Sequence, residues 1–204
     1  MSSDLYINAS VTVKNGIVMR NGELYFKAGS EDPSSILAEI YEHLLPAYPK
    51  FYKMDQLSKL GWLATEILLG PEFRYKNYPA DKVGIVLSNA NASLDTDIRY
   101  YDTVKDIASP ALFVYTLPNI VAGEISIRHR LKGENAFFIF DHFNAGFIQQ
   151  YVSGLLNNDN LQACICGWVE TLGKQLDAAL FLVEKTPNAG AVGFTPAIMN
   201  QIYQ

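Results

Sequence analysis

Ala136-Phe137-Phe138-Ile139-Phe140, followed by Asp141-His142-Phe143-Asn144-Ala145-Gly146, is the stretch that decides the fold. Its apolar run reads as a buried strand, and the polar, small-residue turn after it delivers the chain into a helix running through Leu156. Strand, sharp turn and helix in that order are the unit of an α/β layered protein. The same geometry lets an enzyme present a nucleophile, because backbone N–H groups and a helix N-terminus face any oxyanion that forms there.

The segments on either side repeat the alternation. Upstream, Val83 to Leu87 is a short apolar run that reads as a central strand covered on both faces. Downstream, Ala163 to Trp168 and Ala178 to Val183 are two more strands. Near the start, Leu5 to Val13 reads as a strand, and Arg20-Asn21-Gly22-Glu23 reads as the type I′ turn of a hairpin. Asp32-Pro33 opens a helix with apolar positions Ile36, Leu37, Ile40, Leu44 and Leu45. A second helix covers about Met54 to Leu69, burying Leu57, Leu60, Gly61, Ala64, Ile67 and Leu68, and Gly70-Pro71 stops it. Helices are also expected from Asp95 to Asp106, polar in character, and from Ile120 to Leu131. The expected architecture is one α/β domain over residues 1–204: an N-terminal β-hairpin and a mixed, mostly parallel five-stranded sheet covered by helices.

Composition narrows the functional classes. The 204 residues carry 16 Lys+Arg against 21 Asp+Glu, a net charge of −5, without the dominant basic face that nucleic acid demands. Cys164 and Cys166 exclude a disulfide framework, and a single intervening residue is poor geometry for a mutual bridge. As alternating residues of one strand they read as small core side chains. His43, His129 and His142 are too scattered for a recognised metal site, and no cofactor motif is present. No apolar run is long enough to span a bilayer, and Met1-Ser2-Ser3-Asp4 lacks the features of a signal peptide, so a cytoplasmic protein is expected.

Five stretches in order carry a family resemblance. Pro118-Asn119-Ile120-Val121-Ala122-Gly123-Glu124-Ile125-Ser126-Ile127-Arg128 precedes Leu131-Lys132-Gly133 and the decisive strand and turn. Lys53-Met54-Asp55-Gln56-Leu57-Ser58 opens the second helix, and Val83-Gly84-Ile85-Val86-Leu87-Ser88 is the first central strand. Ala163-Cys164-Ile165-Cys166-Gly167-Trp168-Val169-Glu170 and Asp177-Ala178-Ala179-Leu180-Phe181-Leu182-Val183-Glu184 complete the set. Together they resemble the N-terminal half of the β-ketoacyl-[acyl-carrier-protein] synthases of the thiolase-like fold, over most of residues 50–185. The resemblance implies a thiolase-like half, acyl-chain chemistry and a catalytic Cys at the turn.

The departures redirect that expectation. Counting back from Gly146 places Phe143 at the nucleophile position, and counting forward from Gly133 places His142 there. Neither is a thiol, and the second half that carries the family's two histidines has no counterpart here. The resemblance therefore points to a non-catalytic accessory subunit of fatty-acid, polyene or polyketide-type synthesis. Its expected partners are a catalytic ketosynthase, an acyl carrier protein or both. Two alternatives are a small acyl-thioester enzyme using His142 as general base, and an acyl-chain-binding homodimer with a pocket lined by Phe137, Phe138 and Phe140.

Two surfaces follow. By resemblance, Lys53 matches a basic residue at the carrier-protein docking surface, with Lys50 and Lys59 nearby. The helix after the turn presents Phe147, Ile148, Tyr151, Val152, Leu155 and Leu156, a stripe broader than its own sheet needs. With Phe137 and Phe138 it is expected to form a homodimer or heterodimer interface, because contiguous apolar patches seldom persist on monomers.

Overall fold

A computed structural model describes residues 4–71, 73 and 78–204; Met1-Ser2-Ser3, read above for a leader, lie outside the described residues. Strands β1 (Tyr6–Lys14), β2 (Ile17–Arg20) and β3 (Glu23–Lys27) form an antiparallel meander. Both of its turns are Asn-Gly pairs with positive φ: 46° and 88° at Asn15 and Gly16, 53° and 82° at Asn21 and Gly22. That is the type I′ signature, which matches the twist of the paired strands. The second hairpin was expected, and the first obeys the same chemistry.

Helix α1 (Pro33–Leu44) begins as its sequence dictates: Asp32 accepts a hydrogen bond from the Ser35 N–H at 3.0 Å, and Pro33 occupies the first position. Helix α2 (Gln56–Leu69) is capped in the same way by Asp55, which accepts from the Ser58 N–H at 2.9 Å. Its expected stripe is buried, and so are Trp62, Leu63, Thr65 and Leu69 on the remaining sides. The reason is that α2 lies on the sheet between α1 and a second neighbour, α5 (Ile120–His129). At the crossing with α5 a Cβ on Gly61 would stand 2.4 Å from Val121 Cγ2, so only glycine permits this approach.

The remaining strands are β4 (Val83–Asn89), β5 (Asn135–Ile139), β6 (Ala163–Leu172), β7 (Gln175–Glu184) and the short β8 (Val192–Gly193). Within the described residues all eight join one sheet, ordered β3-β2-β1-β7-β6-β4-β5 with β8 on β1. The mixed sheet and its helical layers agree with the expected fold class. The expected predominance of parallel pairing does not: only β4–β5 and β4–β6 are parallel. β6 and β7 run longer than their apolar cores suggested and meet across Gly173-Lys174, and a two-residue connection can only join antiparallel strands.

One sheet face, with Val11, Val13, Ile165, Val169 and Leu180, packs on α1, α2 and α5. The other, with Cys164, Cys166, Trp168 and Phe181, packs on α6 (Ala145–Asn157) and α7 (Pro196–Tyr203). Helices α3 (Leu94–Val104) and α4 (Pro110–Phe113) follow β4. The apolar residues of α3, Leu94, Ile98, Tyr101 and Val104, face outward, and Thr96 is its buried residue.

Where α2 meets α5, Arg128 grips Glu66 through two bonds, Nε to Oε1 at 2.8 Å and Nη2 to Oε2 at 3.0 Å. His129 Nε2 lies 3.0 Å from the same Oε1, and the guanidinium stacks over Tyr48 and Trp62. Burial alone would raise the Glu66 pKa, but the hydrogen bonds and charges of His129 and Arg128 prevail and lower it to about 2. A depressed carboxylate stabilises the fold above its unfolded pKa, and the stabilisation is lost as pH falls through the folded value. Urea midpoints measured between about pH 7 and pH 2 should therefore drop on acidification, and Glu66→Gln should be less stable at neutral pH with a flatter acid limb.

Candidate functional site

β5 ends at Ile139, so Phe140 to Asn144 form the turn at the carboxyl end of the parallel strands. The Phe140 N–H donates to Asn89 O at 3.0 Å, tying the turn to the end of β4. Asp141 and His142 lie on this bend rather than on a strand, and both are exposed. Phe143 turns inward and is 6% exposed. Its ring lies 5.0 Å from that of Tyr203, 6.1 Å from Phe181 and 6.3 Å from Trp168. Asn144 then caps α6 by accepting from the Phe147 N–H at 3.0 Å. The inward position at the head of α6 is filled by an aromatic ring.

The floor of the site comes from β6 and β7. Glu170 is buried, and its Oε2 accepts from the Ala90 N–H at 2.7 Å and the Asn91 N–H at 3.0 Å, fixing the loop that leaves β4. Asn89 closes that loop on Ala92 with both ends of its amide, so the Asn89-Ala90-Asn91 run is a braced turn. Opposite Glu170 in register stands Asp177, whose Oδ2 accepts from the Tyr203 hydroxyl at 2.6 Å. Burial and that bond push the Tyr203 phenol well above its ordinary pKa, so it remains a donor. Cys164 and Cys166 lie farther back on β6, fully buried, where burial raises the Cys166 thiol away from the reactive thiolate. The inward-facing groups are thus two carboxylates, a phenol and aromatic rings.

The other sequence-derived residues separate into distinct places. Lys50 is not free: its Nζ sits 2.7 Å from Oε2 of buried Glu124, whose Oε1 accepts from the Tyr115 hydroxyl at 3.1 Å. Lys53 is exposed. Ile148 and Val152 are 0% exposed, packed against their own sheet, and so cannot belong to an interface as expected; the stripe of α6 is divided between inside and outside. Phe138, Phe147 and Tyr151 form a half-exposed aromatic group with ring separations of 4.7 and 5.0 Å, continued by Phe140 and Leu155. Phe137 packs on the opposite face of β5, because successive strand residues alternate, so Phe137, Phe138 and Phe140 do not line one pocket.

No family model and no curated protein sequence matches the chain. Solved structures do. "The ishigamide ketosynthase/chain length factor" superposes with a TM-score of 0.62 at 17% identity, covering 89% of this chain and 62% of that one. A type II polyketide synthase acyl-carrier protein in complex with its ketosynthase gives 0.57 at 14%, covering 90% and 63%. A ketosynthase in complex with its chain length factor from Xenorhabdus doucetiae gives 0.56 at 12%, covering 91% and 80%. The chain has the thiolase-like α/β fold of ketosynthases and chain length factors. It spans about three fifths of the length of the first two of these structures.

Sequence reasoning located the turn, named Phe143 and quoted Glu170 as the end of a strand without a role for it, and it missed α7. A lone carboxylate at the end of an apolar strand was the available signal for Glu170. As Phe143 closes a packed aromatic cluster, Phe143→Ala should cost about 3–5 kcal/mol in denaturant unfolding, whereas His142→Ala should fall within about 0.5 kcal/mol of wild type.

Proposed function

We propose that this chain is a non-catalytic, β-ketoacyl-synthase-like accessory subunit of acyl-chain synthesis of the fatty-acid, polyene or polyketide type. The observation that carries the reading is Phe143: an aromatic ring occupies the inward position of the strand-to-helix turn. Condensation on this fold needs a nucleophile there to take up the acyl group, and the neighbouring side chains offer neither a thiolate nor a base beside one. His142 points to solvent, which disfavours the general-base alternative. The structural neighbours support the reading, since two of them are ketosynthases with chain length factors and one is a ketosynthase with an acyl-carrier protein.

The partner surface we assign is the outward side of α6 with the edge strand β5, comprising Phe138, Phe140, Phe147, Tyr151 and Leu155. A ketosynthase, or a second copy of this chain, would cover it. Lys53 is the retained candidate for contact with an acidic carrier protein. Lys50 contributes there only while neutralising Glu124, so reversing its charge would disturb the fold as well as any docking.

Mass spectrometry after incubation with acyl- and malonyl-carrier protein should show no acyl adduct on residues 141–146; an adduct there would overturn the reading. In sedimentation the protein should run as a dimer, or as a complex with a ketosynthase, and Tyr151→Glu should release it with the fold intact. A monomer in both settings would remove the interface. Lys53→Glu should weaken carrier-protein binding about two- to fivefold at low salt, with the difference shrinking as salt screens it.

A further inference from the structure

β6 and β7 bring two carboxylates face to face. Glu170 and Asp177 are partners in the antiparallel register, on the sheet face that α6 and α7 cover. Directly opposed side chains have Cβ atoms roughly 5 Å apart, and like charges so placed repel. Glu170 is 2% exposed. Its Oε2 is engaged by the Ala90 and Asn91 N–H groups, but its Oε1 is buried with no hydrogen-bond partner among the described residues. Asp177 repeats the arrangement: Oδ2 accepts from the Tyr203 hydroxyl, and Oδ1 is buried without a partner among the described residues. Trp168, two residues before Glu170 on the same face, has a buried Nε1–H that likewise lacks an acceptor. Lys14 follows in the same cross-strand row, opposite Asp177 on β1, but its ammonium bonds the carbonyl of Tyr203 and lies 3.5 Å from that of Gln204.

A buried carboxylate oxygen is costly without a partner, and two on adjacent strands define what they would hold. Both donors are hard oxygens, which favour magnesium and calcium over metals that prefer sulfur. No three of His, Cys, Asp and Glu gather at one point among the described residues, so a closed zinc-type site is excluded. Two carboxylates suit a cation that keeps part of its water shell, and a retained water also supplies the acceptor that the Trp168 N–H lacks. We propose that Glu170 Oε1 and Asp177 Oδ1 together bind a hydrated divalent cation of the magnesium or calcium class. The cation relieves the repulsion across the strands. It also joins the loop after β4, held through Glu170, to α7, held through Asp177 and Tyr203. The proposal stands apart from the accessory-subunit reading, because it needs no acyl group and no protein partner.

Terbium(III) is the direct probe, because it enters oxygen-lined calcium sites and luminesces when a nearby tyrosine or tryptophan is excited; Tyr203 and Trp168 stand beside these carboxylates. The full chain should sensitise bound terbium, and magnesium or calcium chloride should displace it with half-saturation below about 1 mM. Glu170→Gln and Asp177→Asn keep an oxygen for the Ala90, Asn91 and Tyr203 donors but remove the charge, and each should weaken terbium binding at least about tenfold. Asp102→Asn, an exposed carboxylate of α3, should leave it unchanged. Thermal unfolding reads the same site independently. Asp177→Asn should melt above wild type in a chelator, where the opposed charges are otherwise uncompensated, and should lose the rise that magnesium or calcium gives wild type. Absent luminescence, equal luminescence in all four proteins, or no melting shift with either cation would overturn the proposal; the last is the result expected of a shared proton or an ordered water between the carboxylates. If one variant fails to fold, the other and the displacement from wild type decide the matter.

Discussion

The molecule depends on β6 being buried on both faces and both edges. β4 pairs with it in parallel and β7 antiparallel, while α2 and α6 lie over its two faces. A strand so enclosed must satisfy every polar group within the sheet and leave no room for error in side-chain size. Gly167 records the constraint: its φ is +142°, and a Cβ there would lie 2.0 Å from Ala179 O. From this strand Trp168 reaches Phe143 and Glu170 holds the β4 loop, so the candidate site is an extension of the central packing.

The turn after β5 is where the parallel strands meet the start of a helix. The carboxyl ends of β4, β5 and β6 lie side by side, and α6 begins just beyond a turn whose innermost residue precedes the Asn144 cap. Here that residue is a phenylalanine wedged among Tyr203, Phe181 and Trp168. The ring at this turn contributes to the cohesion of the core. The aromatic group on β5 and α6 lies outward, separated from Phe143 by the turn.

Much of this was legible from residue patterns, and the failures have physical causes. The Asp32 cap and the Asn21-Gly22 turn were read correctly because their signals are local, acting on neighbours within a few residues. The β6–β7 hairpin was misread because Glu170, Asp177 and their neighbours interrupt the apolar runs, although strand pairing continues through them. The stripe on α6 was identified, yet periodicity cannot say where a core stops, so Ile148 and Val152 were grouped with residues that face out. Lys50 was read as a surface cation because its partner, Glu124, lies far along the chain and is brought beside it only by folding. α7 went unnoticed, and with it Tyr203.

The position of β1 also governs how the chain comes into being. β1 precedes the other described strands in the chain and is an interior strand of the finished sheet, with Tyr6 opposite Glu184. On the ribosome, its partner β7 emerges only after all the elements between them have been made, a wait of roughly 10–40 s at ordinary elongation rates. Until then the meander of β1, β2 and β3 displays Val11, Val13 and Val18 on an unfinished sheet, without β7 to occupy its open edge. The two tight Asn-Gly turns let that meander close on itself early, and the polar alternation of Ser10 and Thr12 keeps one of its faces compatible with water. The hydroxyl-bearing alternation of β1 is thus what lets the nascent strand wait.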